Sequence, residues 1–272
     1  WAKTNGIQTH YYISPQIWAW KENRIKAIKR DFDKLYVILP FEKDFFKRFD
    51  WESDYVGNPV LDAVKAHVED SQFVSKNNLK KEVPCIALLP GSRKQELKRI
   101  IPLMAEVVRR FPQYQFAVAA VNNLDGSWYK AFEGLGNVSM IYEDTYNLLL
   151  NSTAAIVTSG TATLETALFK VPQIVVYRAN TLSYWLAKRL VRVPFISLPN
   201  LIAEKEVVKE LIQSDATPNR LSQELSRLLE DNSYRDTIKE EYDQIINRLD
   251  TGSASENAAK LMIQYLSEDS HS

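Results

Sequence analysis

The sequence predicts an α/β fold built on parallel sheets. Short apolar runs rich in β-branched or aromatic residues alternate with longer segments in helical spacing, which is the pattern of strands joined by crossover helices. The chain has 272 residues, of which 45% are hydrophobic and 11% aromatic. At roughly 150 residues per domain, this is enough for about two domains with buried cores.

The first part of the chain predicts a small sheet with helices between its strands. We expect strands at residues 9–13, 35–39 and 54–56, and helices at 17–30 and 41–49. A polar stretch at 69–82 then contains little that could be buried, so a domain boundary is expected near it. This assigns residues 1–64 to a first domain.

The second part predicts one doubly wound domain at residues 65–240, followed by C-terminal helices at 241–272. Six strands are expected, at 85–89, 115–120, 138–141, 155–158, 173–176 and 195–198. The helices between them are expected at 96–110, 146–151, 161–169, 182–191 and 206–213. Three further helical patterns, at 219–229, 233–249 and 253–266, complete the chain.

Composition excludes several classes of function. The 34 basic and 34 acidic residues give a net charge of +0, so no chain-wide field would attract nucleic acid, and no nucleic-acid partner is expected. One cysteine and three histidines argue against a disulfide framework and a protein-built metal site. No apolar run reaches the roughly 18 residues that span a bilayer. We expect a cytoplasmic protein without a bound metal or cofactor.

A first candidate site follows the strand expected at 85–89. Gly91, Ser92 and Arg93 form a glycine turn that leads into a helix, and ligands of doubly wound sheets bind beyond the carboxyl ends of the strands. Arg93 could bind a phosphate with two hydrogen bonds, and Ser92 could donate to another oxygen. An ordinary turn with a solvated arginine is the alternative.

A second candidate site follows the strand expected at 155–158. Ser159, Gly160, Thr161 and Thr163 form a turn of small residues at a helix start, where free N–H groups attract anions. Glu165 lies one turn into the helix and could accept from ribose hydroxyls. Helix capping by Ser159 or Thr161 is the alternative. Two such turns in one domain favour nucleotide binding, although neither a Walker signature nor a dinucleotide fingerprint is present.

A third feature is a stretch without acidic residues, at 166–203. A basic, aromatic helix within it is typical of segments that lie on an anionic membrane surface, and its candidate membrane residues are Tyr184, Trp185, Lys188, Arg189 and Arg192. A core-facing helix whose cations reach water is the alternative. A second basic helix is expected at 24–30, after Trp18 and Trp20, and it slightly favours the membrane-binding interpretation.

Six motifs together resemble the lipid-A-disaccharide synthases. They occur in the family's order: Tyr-Ile-Ser-Pro-Gln-Ile-Trp-Ala-Trp at 12–20, Leu-Pro-Phe-Glu at 39–42, Val-Gly-Asn-Pro at 56–59, Leu-Pro-Gly-Ser-Arg at 89–93, Ser-Gly-Thr-Ala-Thr-Leu-Glu at 159–165, and Leu-Pro-Asn-Leu at 198–201. The first and last of these are the most specific to the family. One departure is Asn58, where the family usually has histidine.

The resemblance implies a GT-B glycosyltransferase with two Rossmann-like domains facing a cleft. Residues 1–64 would be the remainder of the N-terminal, acceptor-side domain, residues 65–240 the UDP-sugar-binding domain, and residues 241–272 helices that return towards the first domain. The resemblance also implies N-terminal truncation, with the general base on the part that is missing. The implied reaction transfers 2,3-diacylglucosamine from UDP-diacylglucosamine to 2,3-diacylglucosamine 1-phosphate (lipid X) and releases UDP. Arg93 and Asn200 are implied as catalytic residues, and Tyr177 and Arg178 join the residues that bind the nucleotide sugar.

Such an enzyme is expected to act as a peripheral protein on the inner face of the bacterial inner membrane, and a homodimer is one assembly that the sequence leaves open. Two alternatives to the synthase remain. One is another GT-B enzyme of UDP-sugars, such as an epimerase or a peptidoglycan glycosyltransferase. The other is a non-catalytic fragment that binds UDP and the membrane.

Overall fold

The computed structural model describes residues 1–19, 24–179 and 194–269, which fall into two compact units. Unit 1 contains Trp1–Ala66 and the chain from Ile245 onwards. Unit 2 contains the described residues between His67 and Gln244. Each unit has its own parallel sheet, so the α/β expectation is confirmed.

Unit 1 has three parallel strands in the order β1-β2-β3: β1 (His10–Tyr12), β2 (Lys34–Val37) and β3 (Asp54–Tyr55). Its first helices are α1 (Ile25–Asp31), α2 (Pro40–Lys47) and α3 (Pro59–Ala66), with 3₁₀ turns at Lys3–Asn5 and Ile17–Ala19. Each connection leaves the carboxyl end of one strand and returns to the amino end of the next. The carboxyl ends of all three strands therefore lie at the same edge of the sheet.

Unit 2 has six parallel strands: β4 (Cys85–Leu89), β5 (Gln115–Ala120), β6 (Val138–Tyr142), β7 (Ala154–Thr158), β8 (Gln173–Tyr177) and β9 (Lys209–Ile212). Its helices are α4 (Phe73–Lys76), α5 (Lys94–Arg110), α6 (Thr145–Leu150), α7 (Thr161–Leu168), α8 (Leu198–Ala203) and α9 (Pro218–Glu230), with 3₁₀ turns at Gly126–Phe132 and Gln213–Asp215. The long helix α10 (Asn232–Leu249) begins in unit 2, and α11 (Ala254–Asp269) belongs to unit 1.

The strands of unit 2 lie in the order β6-β5-β4-β7-β8-β9. Counted within the unit, this is 3-2-1-4-5-6, the order of dinucleotide-binding doubly wound sheets. The strand order reverses between β4 and β7, which are hydrogen-bonded neighbours with Leu89 opposite Val157. A crevice for a ligand is therefore expected at the carboxyl ends of β4 and β7.

The C-terminal helix α11 completes the core of unit 1. Tyr36, Val56 and Ala258 are buried together, and Tyr265 of α11 donates a hydrogen bond to Asp54 at 3.0 Å. Gly57 makes the close approach of the C-terminal segment feasible, because its φ is +97° and a Cβ there would collide with Thr251. A larger residue at position 57 would thus be strained in its backbone and in its packing.

The strands expected at 85–89 and 115–120 are confirmed at those bounds, and β6, β7 and β8 lie within one residue of the prediction. The helices expected at 96–110, 146–151, 161–169, 219–229, 233–249 and 253–266 are also confirmed, with ends shifted by up to three residues. Buried apolar strands flanked by long amphipathic helices carry a strong local signal, which explains this agreement.

Two predictions near the end of unit 2 are wrong. The segment at 195–198 is not a strand, because helix α8 begins at Leu198 with Pro199 in its first turn, where proline is favoured. The expected helix at 206–213 is instead β9, which pairs in parallel with β8. Val207 and Leu211 have helical spacing, but pairing with a neighbouring strand overrides that local preference.

The prediction of a helix at 17–30 is also wrong for the first part of that range. Residues Ile17–Ala19 form a 3₁₀ turn, and α1 begins only at Ile25. Trp18 is 6% exposed, so it belongs to the interior and not to a membrane-facing surface. In α1 the isoleucines Ile25 and Ile28 are buried while the lysines are exposed, as in a core-facing amphipathic helix.

Candidate functional site at the carboxyl edge of unit 2

The two predicted turns lie side by side. The first follows β4 and the second follows β7, and these adjacent parallel strands end at the same edge of the sheet. Sequence spacing alone could not establish this, because the turns are almost 70 residues apart. Their meeting at the point where the strand order reverses makes this edge the candidate ligand site.

The first turn presents Arg93 to solvent. Gly91 has a φ of +92°, and a Cβ at this position would lie 2.6 Å from a carboxylate oxygen of Glu96. Arg93 is the N-cap residue of α5, its side chain is 82% exposed, and its Nη1 lies 2.9 Å from Glu96 Oε1. Such an exposed ion pair contributes little, so the guanidinium can turn towards an anion at low cost. Ser92 is also exposed.

The second turn opens helix α7 with free backbone donors. Gly160 has a φ of +153°, and a Cβ there would meet no atom of the described residues within 4 Å, so these residues leave the space above the turn open. The helix begins at Thr161, whose N–H has no acceptor within the helix, as for every first turn. Both the N–H groups and the helix dipole at this end attract an anion.

Ser159 and Thr163 fasten this turn to the segment that precedes α8. The Ser159 hydroxyl donates to the carbonyl of Ile196 at 2.9 Å. The Thr163 hydroxyl donates to the Gly160 carbonyl at 2.8 Å and accepts from the Leu198 N–H at 3.2 Å. Thr163 is fully buried and supports the turn in this structure, and its expected contact with the nucleotide sugar stays a prediction.

Asn200 is likewise a supporting residue in this geometry. Its Nδ2 donates to the Val208 carbonyl and to Glu210 Oε1, both at 2.9 Å, and its Oδ1 accepts from the N–H groups of Val207 and Val208. Both amide hydrogens and both lone pairs are therefore used. The side chain is fully buried as well, so in this structure it shapes the segment, and its direct contact with the donor stays a prediction.

Glu210 organises the same segment, and sequence reasoning missed it. Its carboxylate accepts from the N–H of Ile196, the N–H of Ser197 and the Ser197 hydroxyl, at 2.7 to 3.2 Å, besides Asn200. The helix predicted at 206–213 concealed it, since in a helix Glu210 would have been one more exposed acid. Only its place on β9 brings it to this segment.

Glu165 is half-buried one turn into α7 and contacts Tyr146 of α6. The Tyr146 hydroxyl donates to Glu165 Oε1 at 3.4 Å, and its ring packs edge-on against Phe169 and His67. Burial raises the pKa of the Glu165 carboxyl, and the Tyr146 hydrogen bond lowers it in part. Tyr146 was also missed from the sequence, because nothing local relates it to Glu165.

The remaining expected site residues lie at the end of β8 and beyond it. Tyr177 ends β8 and Arg178 follows it, and both are half-buried. The helix predicted at 182–191 and the five candidate membrane residues, Tyr184, Trp185, Lys188, Arg189 and Arg192, lie outside the described residues. Among the described helices, none combines the length and apolar character needed to cross a bilayer.

A family model described as lipid-A-disaccharide synthetase matches residues 2–264. A lipid-A-disaccharide synthase of Syntrophus aciditrophicus is 38% identical over 269 residues, which covers 96% of this chain and 70% of that protein. One from Myxococcus xanthus is 36% identical over 270 residues, covering 97% of this chain and 70% of the relative. These proteins are similar to the chain over almost its whole length.

Solved structures share the fold. A Staphylococcus aureus MnaA structure with UDP superposes with a TM-score of 0.71 at 14% identity, covering 98% of this chain and 70% of that one. A UDP-GlcNAc 2-epimerase from Neisseria meningitidis gives 0.68 at 13% identity, covering 97% and 71%. WaaG, a glycosyltransferase of lipopolysaccharide biosynthesis, gives 0.55 at 12% identity, covering 93% and 74%. The expected GT-B type of α/β fold is confirmed.

Proposed function

This chain belongs to the lipid-A-disaccharide synthetase family, and from that premise we propose the reaction that its site performs. As a family member it is a hexosyltransferase that forms the lipid A disaccharide. The donor we propose is UDP-2,3-diacylglucosamine, and the acceptor is 2,3-diacylglucosamine 1-phosphate. The donor sugar leaves UDP and is joined to the acceptor's 6-hydroxyl with inversion.

The observation that carries this proposal is the pairing of the two turns at the carboxyl ends of β4 and β7. A UDP leaving group gathers negative charge on its diphosphate as the bond to the sugar breaks. Arg93 and the first N–H groups of α7 supply positive charge on the two sides of that position. Fixed charge of this kind favours the transition state over the ground state.

We assign the ribose to Glu165. A carboxylate repels a diphosphate but accepts hydrogen bonds from the two ribose hydroxyls. The Tyr146 hydroxyl occupies Oε1, which leaves Oε2 as the oxygen for the ribose. Tyr177 and Arg178, at the end of the next strand, are proposed to contact the sugar or the phosphates from the β8 side.

Ser159, Thr163 and Asn200 are proposed to act through the backbone. Their hydrogen bonds hold Gly160, Ile196 and Val208 in place, so they fix where the helix start and the segment before α8 present N–H groups. Loss of one of them should lower UDP affinity without removing a direct contact. This separates them from Arg93 and Glu165.

Both proposed substrates carry acyl chains, so the enzyme must reach a lipid surface. We propose peripheral attachment to the cytoplasmic face of the inner membrane through the basic, aromatic residues between Tyr184 and Arg192. Their composition supports this, since each cation near an anionic surface contributes about 1 kcal/mol. We further propose that the enzyme forms a homodimer.

The test incubates the chain with the two acylated substrates and follows UDP release and disaccharide by mass spectrometry. Disaccharide formation that Arg93→Ala suppresses, and that Arg109→Ala at the far end of α5 leaves unchanged, supports the proposal. UDP binding without turnover would favour a non-catalytic UDP-binding fragment. Absence of UDP binding would refute the site, and conversion of UDP-N-acetylglucosamine to its epimer would indicate the rival activity.

A further inference from the structure

Unit 1 has a carboxyl edge of its own, formed by three loops. They follow β1, β2 and β3 at residues 13–19, 38–39 and 56–58, and parallel strands place all three at one edge of the sheet. All three loops contain residues of motifs on which the family resemblance rests, and the third loop includes Asn58. The proposed handling of UDP by unit 2 uses none of them.

Glu42 joins the first two loops. It is 1% exposed, and its Oε1 accepts the indole N–H of Trp18 at 3.0 Å. Its Oε2 accepts the backbone N–H groups of Ile38 and Leu39 at 3.1 and 3.0 Å. The carboxylate therefore binds a side chain from the loop after β1 and the backbone of the loop after β2.

Asn58 extends this set of contacts to the third loop. It is 2% exposed, its Nδ2 donates to the Ile38 carbonyl at 3.0 Å, and its Oδ1 accepts from the Val60 N–H at 2.9 Å. Ile38 thus donates to Glu42 and accepts from Asn58. We call Trp18, Ile38, Leu39, Glu42 and Asn58 the Glu42 network.

Helix capping alone does not require this arrangement. A glutamate at the third position of a helix can accept the N-cap N–H at the surface, where its charge stays hydrated. Burying the carboxylate costs free energy that only several good hydrogen bonds offset. The bond from Trp18, which lies 24 residues away in the sequence, adds nothing to a cap of α2 but fixes a neighbouring loop.

The loop after β1 begins with a residue that is both strained and exposed. Ile13 has a φ of +65°, a conformation that a β-branched residue adopts only when its surroundings impose it, and its side chain is 43% exposed. Its N–H donates to the Tyr36 carbonyl at 3.1 Å. Strain of this kind concentrates at functional edges, where the loop conformation must be held by the residues around it.

We infer that Glu42 is a positioning residue of the transfer reaction, which holds the three loops of unit 1 as one surface for the sugar acceptor. This inference rests on the proposed function for the identity of the acceptor. It assigns a role to the motifs at 12–20 and 39–42, because Trp18 of the first motif donates a hydrogen bond to Glu42 of the second. Glu42 itself touches no substrate.

Hydrogen exchange separates an inter-loop role from a cap. The substitution is Glu42→Gln, which keeps the size but replaces one acceptor oxygen by a donor. The control is Phe46→Leu in the same helix, a fully buried residue outside the network. We expect Glu42→Gln, and not Phe46→Leu, to speed amide exchange at 13–18 and 57–60 by about ten-fold, because an amide N–H takes the place of one acceptor oxygen and leaves at least one buried donor unpaired. Faster exchange confined to 38–42 would overturn the inference.

Kinetics test the link to the acceptor. Glu42→Gln should raise the KM for 2,3-diacylglucosamine 1-phosphate about ten-fold and leave the Kd for UDP within two-fold, because UDP is assigned to unit 2. Phe46→Leu should change neither. An unchanged acceptor KM, or equal losses for acceptor and UDP, would overturn the inference. A parent chain that binds no UDP would instead refute the proposed function, and the exchange experiment would still decide whether Glu42 joins the loops.

Discussion

Glu210→Ala should destabilise unit 2 more than its position on a short edge strand suggests. The carboxylate is the acceptor for the N–H groups of Ile196 and Ser197 and for the Ser197 hydroxyl, and Ser197 is fully buried. Alanine leaves these donors without that acceptor, and each buried unpaired donor costs about 1 to 3 kcal/mol. Water can reach the half-buried Ile196 and partly replace the lost acceptor there. We therefore expect the free energy of unfolding to fall by about 3 to 5 kcal/mol in total.

Glu210→Gln should cost much less, about 1 kcal/mol, because an amide oxygen in the place of Oε1 keeps three of the bonds. The control is Glu206→Ala, which removes only an exposed ion pair to Lys209. The assay is urea unfolding combined with hydrogen exchange of the β8 amides, which reports on unit 2. A loss for Glu210→Ala no larger than that for Glu206→Ala would refute the reasoning.

The other predictions concern the nucleotide, the membrane and pH. Arg93→Ala should weaken UDP binding by about 1.5 to 3 kcal/mol in calorimetry, and an unchanged Kd would remove Arg93 from the site. Glu165→Gln should weaken UDP more than pyrophosphate, whereas equal losses would contradict a ribose contact. Replacing Lys188, Arg189 and Arg192 by serine should reduce sedimentation with anionic vesicles at low salt and leave UDP affinity unchanged. Equal sedimentation of parent and variant would show that the membrane contact lies elsewhere. Burial raises the pKa of Glu42 from 4.5 to about 7, so its contribution to stability is present below pH 4.5 and lost as pH rises to about 7. Compared with Glu42→Gln, the parent should lose about 3 kcal/mol of unfolding free energy across that range, and parallel pH profiles would contradict this.

Local patterns were sufficient for most of the fold. The strand β4 is buried along its whole length and β5 along most of it, and the helix between them has a continuous apolar face. Each of these elements can therefore be predicted from a short stretch of local sequence. The glycine turns were visible for the same reason, because Gly91 and Gly160 adopt backbone angles that a strand-to-helix turn requires locally.

The sequence by itself determined the α/β class, the two strand-end turns and, through six motifs, the family. Only the tertiary structure decided that residues 209–212 form a strand and that Asn200 donates a hydrogen bond to Glu210. It also decided that Tyr146 contacts Glu165 and that Glu42 joins Trp18 to Ile38. The physical reason is the same in each case. A helix or turn is stabilised by residues three or four positions away, whereas a strand's partner and a buried carboxylate's donors come from distant parts of the chain, which only folding brings together.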